Sequence, residues 1–334
     1  MYRRLLCVLL CICSLVVELH AGNKQKNIVY TMAGIVNQER FQYAIDLLQK
    51  ELFKFTVTNP VQVEVSTLAQ KKSLPDSIKA KLIEKEHFVL YRKAGKGVIE
   101  LIGADESGVL YGCMELLANK IWHGNQPFFI QDGPKMVMRG TSIGLQKTTY
   151  LPGHDIYEYP YTPESFPWFY DRQLWLNYLD MMAENRYNAL YLWNGHPFSS
   201  LVKLKDYPYA LEVDESTFQK NQDIYTFLTK EANKRGIWII QMFYNIILPK
   251  PFADRHGLKT QERNRIITPL ISAYTRKSIA AFVAKYPNVG LLITLGEAME
   301  GVGQDDINWF TKTIIPGVKD GLQLSRTGGE PPII

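Results

Sequence analysis

Cysteine is nearly absent from this chain once the first 21 residues are set aside: Cys7, Cys11 and Cys13 lie inside that stretch and only Cys113 follows. A disulfide framework is therefore excluded, as is a metal held by several thiolates. The later histidines, His87, His123, His154, His196 and His256, form no HxH or HExxH pair, so no zinc signature is present. No glycine-rich phosphate loop opens a helix, so nothing calls for a nucleotide, and no cofactor is expected. Charge of one sign is scarce too: 38 basic against 33 acidic residues leave +5, dispersed along the chain rather than gathered into a stripe. That spread argues against nucleic acid as a partner.

What is present begins with an export pattern. Arg3 and Arg4 precede the apolar run Leu5–Val17, and a polar stretch ends at Ala21. This order reads as a signal peptide over 1–21, although Leu19 stands where a small residue is preferred. The apolar run is too short for a comfortable membrane span and no later segment approaches one. The expected product is exported, periplasmic or extracellular, with no stable membrane insertion after signal removal.

Residues 22–122 read as a small α/β domain. A strand over 28–33 precedes a helix over 38–50 with Phe41, Ile45 and Leu48 on one face. Alternation in 61–65 predicts a strand with one wet face; two further strands over 87–91 and 98–103 flank a glycine turn. A last helix opens near Ser107 and carries Cys113 as a small buried hydrophobe. The Gly-, Pro- and Asn-rich stretch 123–135 reads as a linker.

From Met136 strands and helices alternate: strands over 136–141, 189–193, 237–244 and 289–295, helices over 166–185, 223–235, 272–286 and 307–319. Long polar loops follow the strands, which favours a (β/α)8 TIM-type barrel over an open doubly wound sheet. Residues 136–334 supply only about four β/α units, whereas a full barrel takes about 250 residues. The ending Pro331-Pro332-Ile333-Ile334 resembles the opening of a fifth strand, so the expectation is a barrel truncated halfway.

The chemistry is expected at the strand ends. The fourth strand runs into Gly296-Glu297, which would mount one carboxylate at the rim as a general acid, with Glu300 either sharing that role or binding a hydroxyl. Arg139, beside apolar Val137 and Met138, calls for either a buried carboxylate or a polyhydroxylated ligand. Trp193, Asn194 and His196 combine an aromatic plate with hydrogen-bonding groups, a mixture suited to sugars; His196 as a satisfied loop histidine is the competing reading. The aromatic-rich stretch Tyr157–Trp168 is either a stacking surface or a hydrophobic latch. The partner expected is an oligosaccharide or polysaccharide fragment; oligomeric state is not legible.

The run Asp105-Glu106-Ser107-Gly108-Val109-Leu110-Tyr111-Gly112-Cys113-Met114-Glu115-Leu116, and the opening Met138-Arg139-Gly140, resemble the small α/β domain and barrel start of bacterial alpha-glucuronidases and beta-hexosaminidases. The resemblance implies a glycoside hydrolase, most nearly alpha-glucuronidase-like, with Glu297 as catalytic acid and Arg139 meeting the sugar. Hexosaminidases of this type carry an Asp-Glu pair after the fourth strand; Gly296 stands at that Asp position. An inert carbohydrate-binding scaffold on the same fold, or a hexosaminidase-related hydrolase, is the alternative.

Overall fold

The structure, a computed structural model, describes residues 28–53, 61–146, 160–244, 247–262, 265–294 and 303–325. The expected signal peptide 1–21, His154, Glu297, Glu300 and the expected fifth strand at 331–334 lie outside the described residues. Among those described, no helix is long and apolar enough to cross a membrane. The chain divides into two compact units, with the main boundary between Asp132 and Gly133.

The first unit contains, in order, β1 (Ile28–Val29), α1 (Gln38–Phe53), β2 (Gln62–Thr67), α2 (Asp76–Lys79), β3 (Phe88–Arg92), β4 (Val98–Gly103), α3 (Glu106–Asn119) and β5 (Phe128–Asp132). Its sheet has the order β1-β2-β4-β3-β5. The first three of these pair in parallel, and β3 runs antiparallel to both β4 and β5. Phe41, Ile45 and Leu48 are fully buried, as the 3.6-residue spacing predicts. Cys113 is buried in α3, and loss of water around the thiol pushes its pKa up to about 12, so it stays an inert thiol.

The local reason for α3 is its start. Asp105 caps the helix by accepting the Gly108 amide at 2.9 Å, and Glu106 accepts the Val36 amide at 2.8 Å. A Cβ on Gly108 would lie 2.2 Å from the His87 carbonyl oxygen, so only glycine lets the helix start approach β3 this closely. The stretch 123–135 departs from the linker expectation. Its residues Phe128–Asp132 are strand β5, registered against β3 from Arg92↔Phe128 to Phe88↔Asp132. The loop composition concealed an edge strand that has one neighbour and an exposed Phe129.

The second unit runs β6 (Gly140–Gly144), α4 (Arg172–Glu184), β7 (Ala189–Trp193), α5 (Phe198–Leu201), α6 (Glu215–Lys234), β8 (Trp238–Tyr244), α7 (Lys250–His256), α8 (Pro269–Lys285), β9 (Val289–Thr294), α9 (Gln304–Trp309) and α10 (Ile315–Ser325). A π-helical turn, Phe310–Ile314, joins the last two helices. The sheet is four-stranded, all parallel, in the order β6-β7-β8-β9. The fold class is thus mixed α/β, with helices between successive parallel strands.

The first of these strands is displaced from its expected position over 136–141: it begins at Gly140, and Met136 and Val137 are 67% and 92% exposed. Pairing rather than apolarity decides the register. Asn188, just before β7, accepts the Arg139 amide at 2.8 Å and donates to the Val137 carbonyl at 2.7 Å, so the ladder opens at Gly140↔Ala189. The device recurs before β9, where Asn288, at φ 57°, donates to the Ile237 carbonyl at 2.6 Å. Two asparagine amides therefore pin the amino-terminal ends of the strands.

The two faces of this sheet differ. Leu190, Leu192, Ile239, Gln241, Phe243 and Leu291 point one way and are buried. Trp175, Leu179, Tyr225 and Phe282, from α4, α6 and α8, are buried too; Tyr225 and Phe282 have ring centroids 5.7 Å apart. Gln241 is fully buried but satisfied, accepting the Tyr225 hydroxyl at 2.9 Å and donating to the Leu192 carbonyl at 2.9 Å. Burial pushes the Tyr225 phenol up, keeping it protonated as that donor. The opposite face carries Gly140, Gly144, Tyr191, Trp193, Met242, Tyr244, Leu292 and Thr294. Of its larger side chains, Ile240 is buried, Tyr191, Trp193, Met242, Tyr244 and Thr294 are half-buried and Leu292 is exposed.

Candidate active site

In parallel α/β sheets the carboxyl ends of the strands carry the ligand, because the loops there diverge from a rigid frame. Here that end holds an aromatic pair on the less covered face. Trp193 closes β7 and Tyr244 closes β8, with centroids 5.4 Å apart and planes at 86°. Gly144 closes β6 directly opposite Trp193 in register, and a Cβ built on it would meet nothing within 4 Å among the described residues. A half-buried tryptophan is a surface on which a sugar ring can stack. Thr294 closes β9 opposite Tyr244, and the chain continues from it toward Glu297 and Glu300.

The residues after β7 are organised by their own side chains. Asn194, fully buried, donates to the Leu145 carbonyl at 2.9 Å and accepts the His196 amide at 3.0 Å. Its amide therefore couples the loops after β6 and β7. Below it, Asn221 of α6 donates to the Tyr161 and Ser200 carbonyls at 2.8 and 3.0 Å, and Ser200 Oγ accepts the Tyr161 amide at 3.1 Å. The aromatic stretch after β6 is thus anchored at Tyr161, which is fully buried, and packed at Phe166 and Phe169. Those three residues are packed into the protein, with the Tyr161 hydroxyl 3.3 Å from Gln241 on the helix-covered face.

His196 occupies a nearly buried polar cluster. Its Nδ1 lies 3.1 Å from Ser199 Oγ and 3.1 Å from Glu212 Oε2, and the Ser199 hydroxyl donates to the same carboxylate at 2.9 Å. Glu212 Oε1 accepts the Lys250 amide at 3.0 Å. Burial by itself would raise the Glu212 pKa. The His196 imidazole, the Lys250 N–H and the Ser199 hydroxyl outweigh it and hold the carboxyl below the usual glutamate range, so Glu212 is ionised. An adjacent cavity of about 30 Å³, lined by His196, Ser199, Tyr244, Thr275 and Ser278 among others, has room for a water or two and not for a sugar.

Arg139 does not join this group. It precedes β6 at the amino-terminal end of the sheet, where its guanidinium donates to the carbonyls of Arg186 at 2.6 Å and Met136 at 2.5 Å. The expected meeting of Arg139 with a sugar at the strand ends is corrected by the four-residue shift of β6, which makes Arg139 the entry to the strand rather than its exit. Trp193, Asn194 and His196 are brought together at one end. Glu297 and Glu300 lie outside the described residues. Among the described residues no cluster of His, Cys, Asp and Glu is arranged to hold a metal ion. Sequence reasoning missed Glu212 and Tyr244. Glu212 sits in the polar run Leu211-Glu212-Val213-Asp214-Glu215, where nothing distinguishes it from its neighbours, while Tyr244 was legible only as the last residue of an apolar strand.

No protein-family model and no curated protein matches the sequence. Solved structures do. A GH138 enzyme targeting pectin rhamnogalacturonan II is 54% identical, with a TM-score of 0.78, over 92% of this chain and 34% of that one. The GH20 beta-N-acetylhexosaminidase from Streptomyces coelicolor A3(2) matches at 14% identity and a TM-score of 0.51, over 89% of this chain and 60% of that one. A Flavobacterium johnsoniae chitobiase gives 14% and 0.51, over 90% and 48%. The two low-identity matches speak to the fold alone. The chain spans about a third of the length of the GH138 enzyme, and over nearly all of its own length it is similar to a glycoside hydrolase.

Proposed function

We propose that this chain belongs to an exported glycoside hydrolase that cleaves a pectic polysaccharide fragment, with its parallel sheet forming part of a (β/α)8 barrel. The 54% identity to an enzyme targeting pectin rhamnogalacturonan II carries this reading. A parallel sheet with one helix-covered face and one aromatic, partly open face supports the barrel. The Trp193–Tyr244 pair beside Gly144 supports a saccharide at its carboxyl end. The alpha-glucuronidase-like cleavage implied by the sequence resemblance is the narrower form of the same proposal, and the identity of the released sugar decides it.

Glu297 follows the end of β9 by three residues and is the proposed general acid. Protonated, it gives its proton to the glycosidic oxygen as the bond from that oxygen to the anomeric carbon breaks; positive charge develops on the sugar and water completes the hydrolysis. Incubating the protein with rhamnogalacturonan II fragments should release new reducing ends. Glu297→Gln should fold normally and lower turnover by about 10²–10⁴. Full turnover in that variant rejects Glu297 as the acid. Saccharide binding without any cleavage by the unaltered protein favours the inert scaffold instead.

A further inference from the structure

The buried amide side chains of the second unit are spent on the protein itself. Asn188, Asn194, Asn221 and Gln241 each accept at the amide oxygen and donate from the nitrogen. Gln146, which is half-buried, differs from them. Its Oε1 is enclosed and has no hydrogen-bond partner among the described residues. An enclosed acceptor without a donor keeps its full desolvation cost, so its presence calls for a reason.

The position of Gln146 supplies that reason. Along β6, Gly140, Ser142 and Gly144 are exposed while Thr141 and Ile143 are half-buried. The alternation runs on past the strand end: Leu145 is fully buried, and its amide donates to the Trp193 carbonyl at 2.8 Å. The two-residue period therefore puts Gln146 in the row of Gly144, on the face that carries Trp193 and Tyr244. Asn194, the amide that the sequence pattern offers to a sugar, is occupied by the Leu145 carbonyl and the His196 amide, and so ties down the backbone on which Gln146 sits.

We propose that Gln146 is a saccharide-binding residue, its side-chain amide taking up a hydroxyl of the sugar that stacks on Trp193. A hydroxyl both donates and accepts, as the two ends of an amide do between them. No hydrogen bond from the described residues fixes the Gln146 oxygen. The last side-chain torsion of glutamine is soft and nearly two-fold, so a half-turn exchanges oxygen and nitrogen without changing the shape of the group. The amide can thus meet the hydroxyl as donor or as acceptor. The inference rests on the glycosidase reading for its ligand and on the unspent amide for the residue.

Calorimetry with a rhamnogalacturonan II oligosaccharide and unfolding in urea, both on the full chain, test it. Gln146→Met keeps the length of the side chain and removes the amide. Binding should weaken about tenfold, as expected for losing one hydrogen bond to the ligand. The urea midpoint should stay the same or rise, because no partner in the protein is orphaned. If Gln146→Met fails to fold, Gln146→Asn, which withdraws the amide by one carbon, is read in the same two ways. Unchanged binding in the folded variant overturns the role of Gln146 and leaves the glycosidase reading standing. A lowered midpoint shows the amide to be structural and also overturns it. Cleavage absent from the unaltered chain, with binding that still depends on Gln146, removes the hydrolase and leaves the saccharide contact standing. Absence of any binding by the unaltered chain overturns both.

Discussion

The two sheets of this protein are of similar size and opposite in what they do with their faces. In the first unit β3 is buried at every residue, with Phe88, Leu90 and Leu101 fully enclosed; Tyr91, Val89 and Ile102 form a second core with Leu74 and Leu82. At β3 both faces are spent on packing. In the second unit the face bearing Leu190, Leu192 and Phe243 is buried, while the face bearing Trp193, Tyr244 and Leu292 is left partly open. A sheet covered on both sides can only stabilise, whereas one with a large aromatic surface left half-covered has somewhere to put a ligand. The difference is consistent with the first unit as support and with the proposed saccharide site at the carboxyl end of the second sheet.

Substitutions can break that contrast. Phe88→Ala, in the doubly covered strand β3, should cost about 3–5 kcal/mol of unfolding free energy in urea. It should leave oligosaccharide affinity of the folded protein unchanged; a parallel loss of binding would show that the first sheet does more than support. Trp193→Ala should do the reverse, weakening oligosaccharide binding about tenfold by calorimetry while changing stability by about 1 kcal/mol. Gly108→Ala should destabilise by about 1–3 kcal/mol, because its methyl group would press on the His87 carbonyl. A stabilisation of the kind alanine usually brings to a helix would disprove the close approach.

The remaining predictions are smaller. Glu212 has its pKa lowered in the folded state, so its contribution to stability is complete above the unfolded glutamate value of about 4.3 and is lost as pH falls through the lower folded value. Urea midpoints measured from pH 7 to pH 3 should therefore fall less steeply at the acid end in Glu212→Gln than in the unaltered chain. Gly144→Ala should change stability by no more than about 0.5 kcal/mol, since the new methyl meets nothing within 4 Å among the described residues. It should nevertheless weaken saccharide binding if the space beside Trp193 is where the sugar lies, which makes it the most selective probe of the open face.

Much of the frame was legible because it rests on repeating patterns. The spacing of Phe41, Ile45 and Leu48, the alternation through Val63 and Val65, and the apolar runs of β7, β8 and β9 each report a buried face directly. Reading failed where hydrogen-bond pairing overrode composition. Met136-Val137-Met138 is apolar but exposed or half-exposed outside the ladder, and Phe128–Asp132 forms a strand inside a stretch that reads as linker. Arg139 was misjudged for the same reason, since its side of the sheet depends on where β6 begins.

The sequence by itself determined the alternation of parallel strands and long helices after Met136 and the aromatic and polar residues gathered after the second parallel strand, because hydrophobic periodicity and turn residues are local properties of the chain. Only the tertiary structure decided that Glu212 reaches His196 across sixteen positions, that Tyr244 stands against Trp193, and that Arg139 lies at the far end of the sheet. These are outcomes of strand register and loop closure, in which a shift of a few residues exchanges one end of a strand for the other, and no local pattern records that choice.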